Sequence, residues 1–229
     1  MRAPEAFTAD WIVECTERSL THLGVETIDL QQLHVWSDDW LGDGDWVDGV
    51  EQLRKDGKIR FFGISTLPHE PQNALAAVRS GQIDTVQVIY NVFDQSPEEE
   101  LFPAAEAADV GIIVRVPFDE GGLTGKVASD SVFPEDDWRN DYFTGDRKAQ
   151  VAERTQALVE ELGIATEALP DVALRFCMSH PAVSTTIPGM RSRRHVQANV
   201  KAAEMGSLSD GERAVLRRHR WQRNFYEDA

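Results

Sequence analysis

Five short apolar runs, set between segments of helical period, constrain the fold of this 229-residue chain more than anything else in it. The runs are IDLQQLHVW (28–36), IRFFGIS (59–65), DTVQVIYN (84–91), GIIVRVP (111–117) and VSTTIPG (183–189). Helical patterns are predicted near 8–23, 45–56, 70–80, 97–108, 147–162 and 168–179, and again near 191–203 and 209–222. Strands that alternate with helices pair in parallel, because parallel neighbours need a crossover connection. The pattern therefore predicts an α/β fold, either a doubly wound open sheet or part of a (β/α)8 TIM barrel. Without repeats, low-complexity tracts or an obvious second domain, one domain over 1–229 is expected, with a helical tail from about 207.

Local signals mark several boundaries. Thr8 is placed to cap the first helix, Gly24 to end it, and Trp11, Ile12, Cys15, Leu20 and Leu23 to line its buried side. Pro97 and the glutamates at 98–100 are expected to open the fourth helix, where negative charge complements the dipole. The polar stretch at about 119–146, with Gly121, Gly122, Gly125 and Pro134, reads as a long loop of the functional or mobile kind.

Charge narrows the partners. With 39 acidic against 23 basic residues, a net charge of −16 argues against nucleic acid and anionic membranes, which both require cationic neutralisation. Lysine occurs only at Lys55, Lys58, Lys126, Lys148 and Lys201, a composition that fits salt adaptation or plain bias. No run approaches the roughly 20 apolar residues of a membrane span, and MRAPEAFTAD lacks the apolar centre of a secretory leader. Cys15 and Cys177 each fall in a helical pattern and read as buried, reduced thiols, so a cytoplasmic protein is expected.

No G-x-G-x-x-G follows a strand, and DEGGLTGK does not meet the spacing of a phosphate loop. In a barrel, the strands' C-terminal ends collect the functional residues. Those ends carry His34, Ser65, Gln87 with Tyr90 and Asn91, Arg115, and the segment IPGMRSRRH. Each also has a purely structural reading: a satisfied core histidine, strand-end caps at Gln87 and Asn91, an ion pair from Arg115 to Asp119 or Glu120. In IPGMRSRRH a strand ends at Ile187, Pro188 and Gly189 turn, and a helix begins beside Arg191, Arg193 and Arg194. That arrangement suits a phosphate, or is simply a solvated basic helix start. Trp36, Trp40, Trp46 and Phe118 either line a pocket or pack in the core.

Taken in order and at their spacing, ERSLTHLGVETIDLQQLH, GKIRFFGIS, VQVIYN, GIIVRVPFDEGGLTGK and IPGMRSRRHVQAN resemble the aldo-keto reductases over essentially the whole chain. The resemblance implies a (β/α)8 TIM-type barrel, here incomplete, with about five βα units equivalent to barrel strands 4 to 8. It implies reduction of aldehydes or ketones to alcohols with NADP(H) and without metal. His34 would be catalytic, polarising and orienting the substrate carbonyl. Ser65 and Gln87 would hold the nicotinamide carboxamide, and Arg115 takes the place where many members stack an aromatic on the ring. The segment from Gly189 through Met190, Arg191 and His195 to Asn199 would hold the adenosine 2′-phosphate and adenine, Arg191 at the phosphate and Asn199 at the base.

The departures are equally specific. The family's aspartate, tyrosine proton donor and lysine come from strand ends before the histidine strand, and a single helix precedes that strand here. Tyr90, Tyr142 and Tyr226 lie outside the donor's motif, and Ser65 is followed by Thr66 and Leu67 where the family commonly has asparagine after the serine. The chain alone is therefore expected to be weak or inactive as a reductase. The alternatives are a dinucleotide-binding pseudoenzyme or partner subunit, and a truncated gene product. Unpaired barrel edges would favour a homo-oligomer.

Overall fold

The structure, a computed structural model, describes residues 3–226, with side chains from Glu5 onward. In chain order the elements are α1 (Ala3–Ala6), α2 (Ala9–Leu23), β1 (Ile28–Trp36), α3 (Trp46–Lys55), β2 (Ile59–Thr66), α4 (Leu75–Ser80), β3 (Thr85–Ile89) and α5 (Leu101–Ala108). Then come β4 (Gly111–Arg115), α6 (Arg139–Tyr142), α7 (Arg147–Leu162), α8 (Leu169–Met178), β5 (Val183–Thr186), α9 (Arg193–Glu204) and α10 (Asp210–Arg218). The five strands form one sheet in the order β1-β2-β3-β4-β5. β1 pairs with β2, and β2 with β3, in parallel. Each strand lies beside its predecessor in sequence, as barrel winding requires. A doubly wound sheet would reverse its order at a switch point, so the open-sheet alternative is set aside.

By internal contacts the chain forms two compact units, one of Met1–Val88 with Glu100–Ile112, the other of Ile89–Glu99 with Ile113–Ala229. In the first, Thr8 caps α2 by accepting from the Trp11 N–H, and Gly24 ends it in the left-handed region at φ 67°. α2 buries Ile12, Thr16 and Leu20, a face of i, i+4, i+8 spacing. Trp11 and Leu23, expected on the buried side, are exposed; Trp11 lies off that face, with the Arg18 guanidinium over its ring at 5.6 Å, and Leu23 is the last residue of the helix. In the core of this unit Trp46 meets Trp36 edge-on and stacks on Phe62, with ring centroids 5.2 and 5.9 Å apart, and Leu53, Ile64 and Val86 are buried too. Trp36 and Trp46 thus pack rather than line a pocket.

In the second unit α8 buries Val172, Ala173, Phe176 and Cys177, with Tyr90 stacked on Phe176 at 5.3 Å. Cys15 is half-buried and Cys177 buried, both unpaired as thiols, and burial pushes the Cys177 thiol up so that it stays protonated. Two expectations change here. The glutamates at 98–100 do not form the first turn of a helix: a 3-10 turn covers Ser96–Glu98, and α5 begins only at Leu101. Glu98 accepts from the Tyr90 hydroxyl and Glu99 pairs with Arg220, so these carboxylates are spent on side chains. The stretch at 119–146 is not an open loop either. It folds a 3-10 turn at Asp119–Thr124 and the helix α6, and its Tyr142 and Phe143 pack with Val127, Val151 and Phe225. α9 begins at Arg193, and α10 ends at Arg218, short of the expected 222. Among the described residues, no helix is long and apolar enough to cross a membrane.

Candidate functional site

Register explains which side chains of the first unit meet. Gln32 lies opposite Gly63, Gly63 opposite Thr85, and Ser65 opposite Gln87. Side chains alternate along strands, so these polar groups share one face while Phe62, Ile64 and Val86 take the other. A Cβ at Gly63 would stand 2.0 Å from Thr85 Oγ1 and 2.9 Å from the Thr85 carbonyl oxygen. The bare glycine lets Gln32 reach across β2, where its Nε2 donates to Gln87 Oε1 at 3.3 Å. Ser65 is buried on this face, and the Gln32 Oε1 and Thr85 Oγ1 atoms are buried without a hydrogen-bond partner.

His34 falls in an irregularity. Leu33 pairs with Ile64 and Trp36 with Thr66, so β1 carries one residue more than β2 over that stretch. Such bulges re-aim side chains and recur beside active sites. His34 is exposed there, which removes the reading of a satisfied core histidine. The neighbouring aspartate has another duty: Asp38 accepts from the Trp36 indole at 3.0 Å and from the Ala76 and Ala77 N–H groups at the start of α4.

In the second unit β5 hands over to β4 through a bond from Ile187 N–H to the Val114 carbonyl, and Pro188-Gly189 turns the chain towards α9. Ser192 caps α9 by accepting from His195 N–H, and Asn199 Nδ2 donates to the Gly189 carbonyl at 3.3 Å, tying the helix back to the turn. A cleft of about 800 Å³ opens here, lined by Gly189, Met190, Arg191 and His195 and, facing them, by Phe118, Glu120 and Asp137. A second cavity of about 320 Å³ shares Gly189, His195 and Phe118 and adds Lys126, Arg194 and Asn199. The structure thus brings five of the expected cofactor residues, Gly189, Met190, Arg191, His195 and Asn199, to two adjoining cavities. Arg115 stands at the end of β4, outside both linings. Burial lowers its pKa while Tyr226 and Glu120 oppose the shift.

For the other wall of the cleft, sequence reasoning named Phe118 and the 119–146 stretch but missed how they are held. Val116, Asp119 and Glu120 hold left-handed φ values of 55°, 50° and 53°. At Gly122 a Cβ would sit 2.7 Å from Asp119 Oδ2, so the DEGG run is needed for close approach as well as for turning. Asp119 pairs not with Arg115 but with Arg223, both nearly fully buried, and Tyr226 donates to Glu120. Burial raises the Glu120 carboxyl, while hydrogen bonds from Arg139 hold Asp137 down at about 2. Phe118, the long polar stretch and the repeated glycines were the signals for this wall; Arg223 and Tyr226 lie about a hundred residues from their partners in it and leave no local trace. The three tyrosines are all engaged and pushed up by burial: Tyr90 on Glu98, Tyr142 among the aromatics, Tyr226 on Glu120.

Known proteins resemble this chain over most of its length. The chain is 28% identical to the oxidoreductase YqkF of Bacillus subtilis over 218 residues, covering 91% of this chain and 65% of that protein. It is 25% identical to the NADH-specific methylglyoxal reductase of Escherichia coli over 203 residues, 87% of this chain and 61% of the relative. Among solved structures, the holo form of an aldo-keto reductase from Bacillus halodurans superposes with a TM-score of 0.70 at 30% identity, over 93% of this chain and 65% of that one. The chain spans less than two thirds of the length of each of these proteins. The family model described as Aldo/keto reductase family matches residues 1–220, and the chain belongs to that family.

Proposed function

We propose that this chain binds a nicotinamide dinucleotide, NADP(H) by preference, and serves the reduction of an aldehyde or ketone to an alcohol. The observation that carries the reading is the cleft at the start of α9. There Gly189 offers open space where a side chain would otherwise stand, Arg191 and His195 line the wall, and a twelve-residue helix begins, its His195 N–H taken by the Ser192 cap and the N–H groups of Arg193 and Arg194 lying outside its own ladder. Cationic side chains and helix N–H groups are the donor set a phosphate-bearing ligand requires, so the residues present fit the cofactor. Arg191 is assigned to the 2′-phosphate and Asn199 to the adenine. On the polar sheet face, Ser65 and Gln87 are assigned to the carboxamide, the orphaned oxygens beside them marking unmet hydrogen-bond capacity. Arg115 is assigned to the nicotinamide ring.

Bound, the dinucleotide would supply the hydride that reduces the carbonyl carbon. His34, exposed at its bulge, is the residue assigned to hold the carbonyl oxygen and handle the proton. No described tyrosine shares that work, since all three are engaged elsewhere. A placed general acid contributes roughly 10²–10⁴-fold, so slow turnover is expected of the 229-residue chain. Nicotinamide fluorescence titration with NADPH and NADH tests the assignment. Arg191→Ala is expected to weaken NADPH about tenfold and NADH little. Equal loss for both would remove the 2′-phosphate role, and a preference for NADH would align the chain with its Escherichia coli relative. Turnover is then assayed with a panel beginning at methylglyoxal; tight binding with no turnover of any carbonyl favours the pseudoenzyme reading.

A further inference from the structure

The wall of the cleft opposite Arg191 is built from strained backbone. Val116, Asp119 and Glu120 are non-glycine residues in the left-handed region, and one of them is β-branched. Such conformations are costly and persist only where the surroundings over-determine them. Each of the three is gripped by a residue from elsewhere in the same unit. Asn91 Nδ2 donates to the Val116 carbonyl at 3.0 Å, Arg223 pairs with the Asp119 carboxylate, and the Tyr226 hydroxyl donates to Glu120. Two of the three grips come from the segment that follows α10.

That segment is itself anchored. Trp221 N–H donates to the Phe93 carbonyl at 2.9 Å, and Arg147 donates to the Phe225 carbonyl at 3.0 Å while lying over its ring. The Arg223 guanidinium sits over Trp221 at 4.3 Å and Phe225 at 4.7 Å, so its aim at Asp119 is held by packing against two rings. Cation–π contacts of this kind strengthen when desolvated, and Arg223 is nearly fully buried. Phe118, between the gripped residues, and Gly121, directly after them, face the cleft.

We propose that Arg223 and Tyr226 are positioning residues for dinucleotide binding: by holding Asp119 and Glu120 in left-handed conformations they fix the 116–124 wall that closes the cleft over the ligand. The proposal rests on the dinucleotide reading above. The segment after α10 then acts on cofactor affinity without touching the cofactor.

The test uses the 229-residue chain with NADPH and NADH as probes, fluorescence titration for Kd, thermal melting, and hydrogen exchange of the 116–124 amides. Tyr226→Phe removes one hydrogen bond and is expected to weaken binding about three- to tenfold, with faster exchange at 116–124 and little change in Tm. Arg223→Met is expected to weaken it further, and Arg223→Lys, which keeps the charge, to recover part of that loss. Val50→Ala, a destabilised control in α3, is expected to keep wild-type Kd. If Arg223→Met does not fold, Tyr226→Phe decides. Wild-type affinity in a folded Tyr226→Phe or Arg223→Met variant overturns the proposal. So does loss of affinity in Val50→Ala matching that of the tail variants, which marks global stability alone. If the wild-type chain binds neither dinucleotide, the functional reading fails and the proposal falls with it.

Discussion

At the scale of the residue, a missing side chain organises the polar face. Gly63 leaves the space through which Gln32 reaches Gln87, and a Cβ there would press on the hydroxyl and the carbonyl of Thr85. The hydroxyl can rotate away; the carbonyl belongs to the paired backbone and cannot. Gly63→Ala is therefore expected to cost about 1–3 kcal/mol, as overpacking does, read as a lower urea midpoint at unchanged m-value. An unchanged midpoint would mean that β2 and β3 are not held in this register. Ser65 and Gln87 were legible in the sequence because two strands of period two, paired in parallel, bring their C-terminal ends level. Gln32 was not, since nothing in IDLQQLH says which of two adjacent glutamines faces β3. Nor was the partner of Asp119, because Arg115 is near in sequence while Arg223 is near only after folding.

At the scale of the element, the signals that worked were those whose physics is local. Thr8 and Gly24 bound α2, and Ser209 with Glu212 makes a reciprocal capping box at α10. The fourth helix is present as α5, but its predicted start failed because Pro97 and its glutamates satisfy helix-start rules equally well as a 3-10 turn, and partners elsewhere decided between them. The 119–146 stretch read as loop because its apolar residues, Val127 among the aromatics, have no period and pack as a cluster rather than along a face. α4 shows capping from outside the element: its first amides find their acceptor in Asp38, thirty-eight residues upstream in sequence. Asp38→Ala removes that acceptor and leaves the Trp36 indole N–H without it. The loss of a helix-start acceptor costs about 0.5–2 kcal/mol, so a drop in stability of that size is expected by chemical denaturation. Hydrogen exchange should quicken at Ala76 and Ala77 first, and equal exchange in both proteins would sink the capping role.

At the scale of the whole molecule, charge sets how stability responds to solution conditions. A net charge of −16 repels itself in the compact state. Raising salt from about 10 mM to about 150 mM cuts the screening length from roughly 30 to roughly 8 Å, so Tm is expected to rise over that range. At about 1 M that length is already near 3 Å, and composition bias alone predicts a plateau; a Tm still climbing there would instead mark salt adaptation. The pH response combines two signs. Burial raises the Glu120 carboxyl, so its contribution is present below the ordinary carboxylate range and lost as pH rises through its folded value. Glu161, depressed by Arg218 and His219, and Glu212, depressed by Ser209, act oppositely: their contributions are present above that range and lost as pH falls through their folded values. Both are solvent-screened and small. Tm measured at fixed salt is therefore expected to peak on the acidic side of neutrality, between the loss of the Glu120 contribution as pH rises and the loss of the Glu161 and Glu212 contributions as pH falls. A Tm that climbs steadily to pH 9 would show that self-repulsion does not limit this fold, and that the buried ion pairs outweigh the surface.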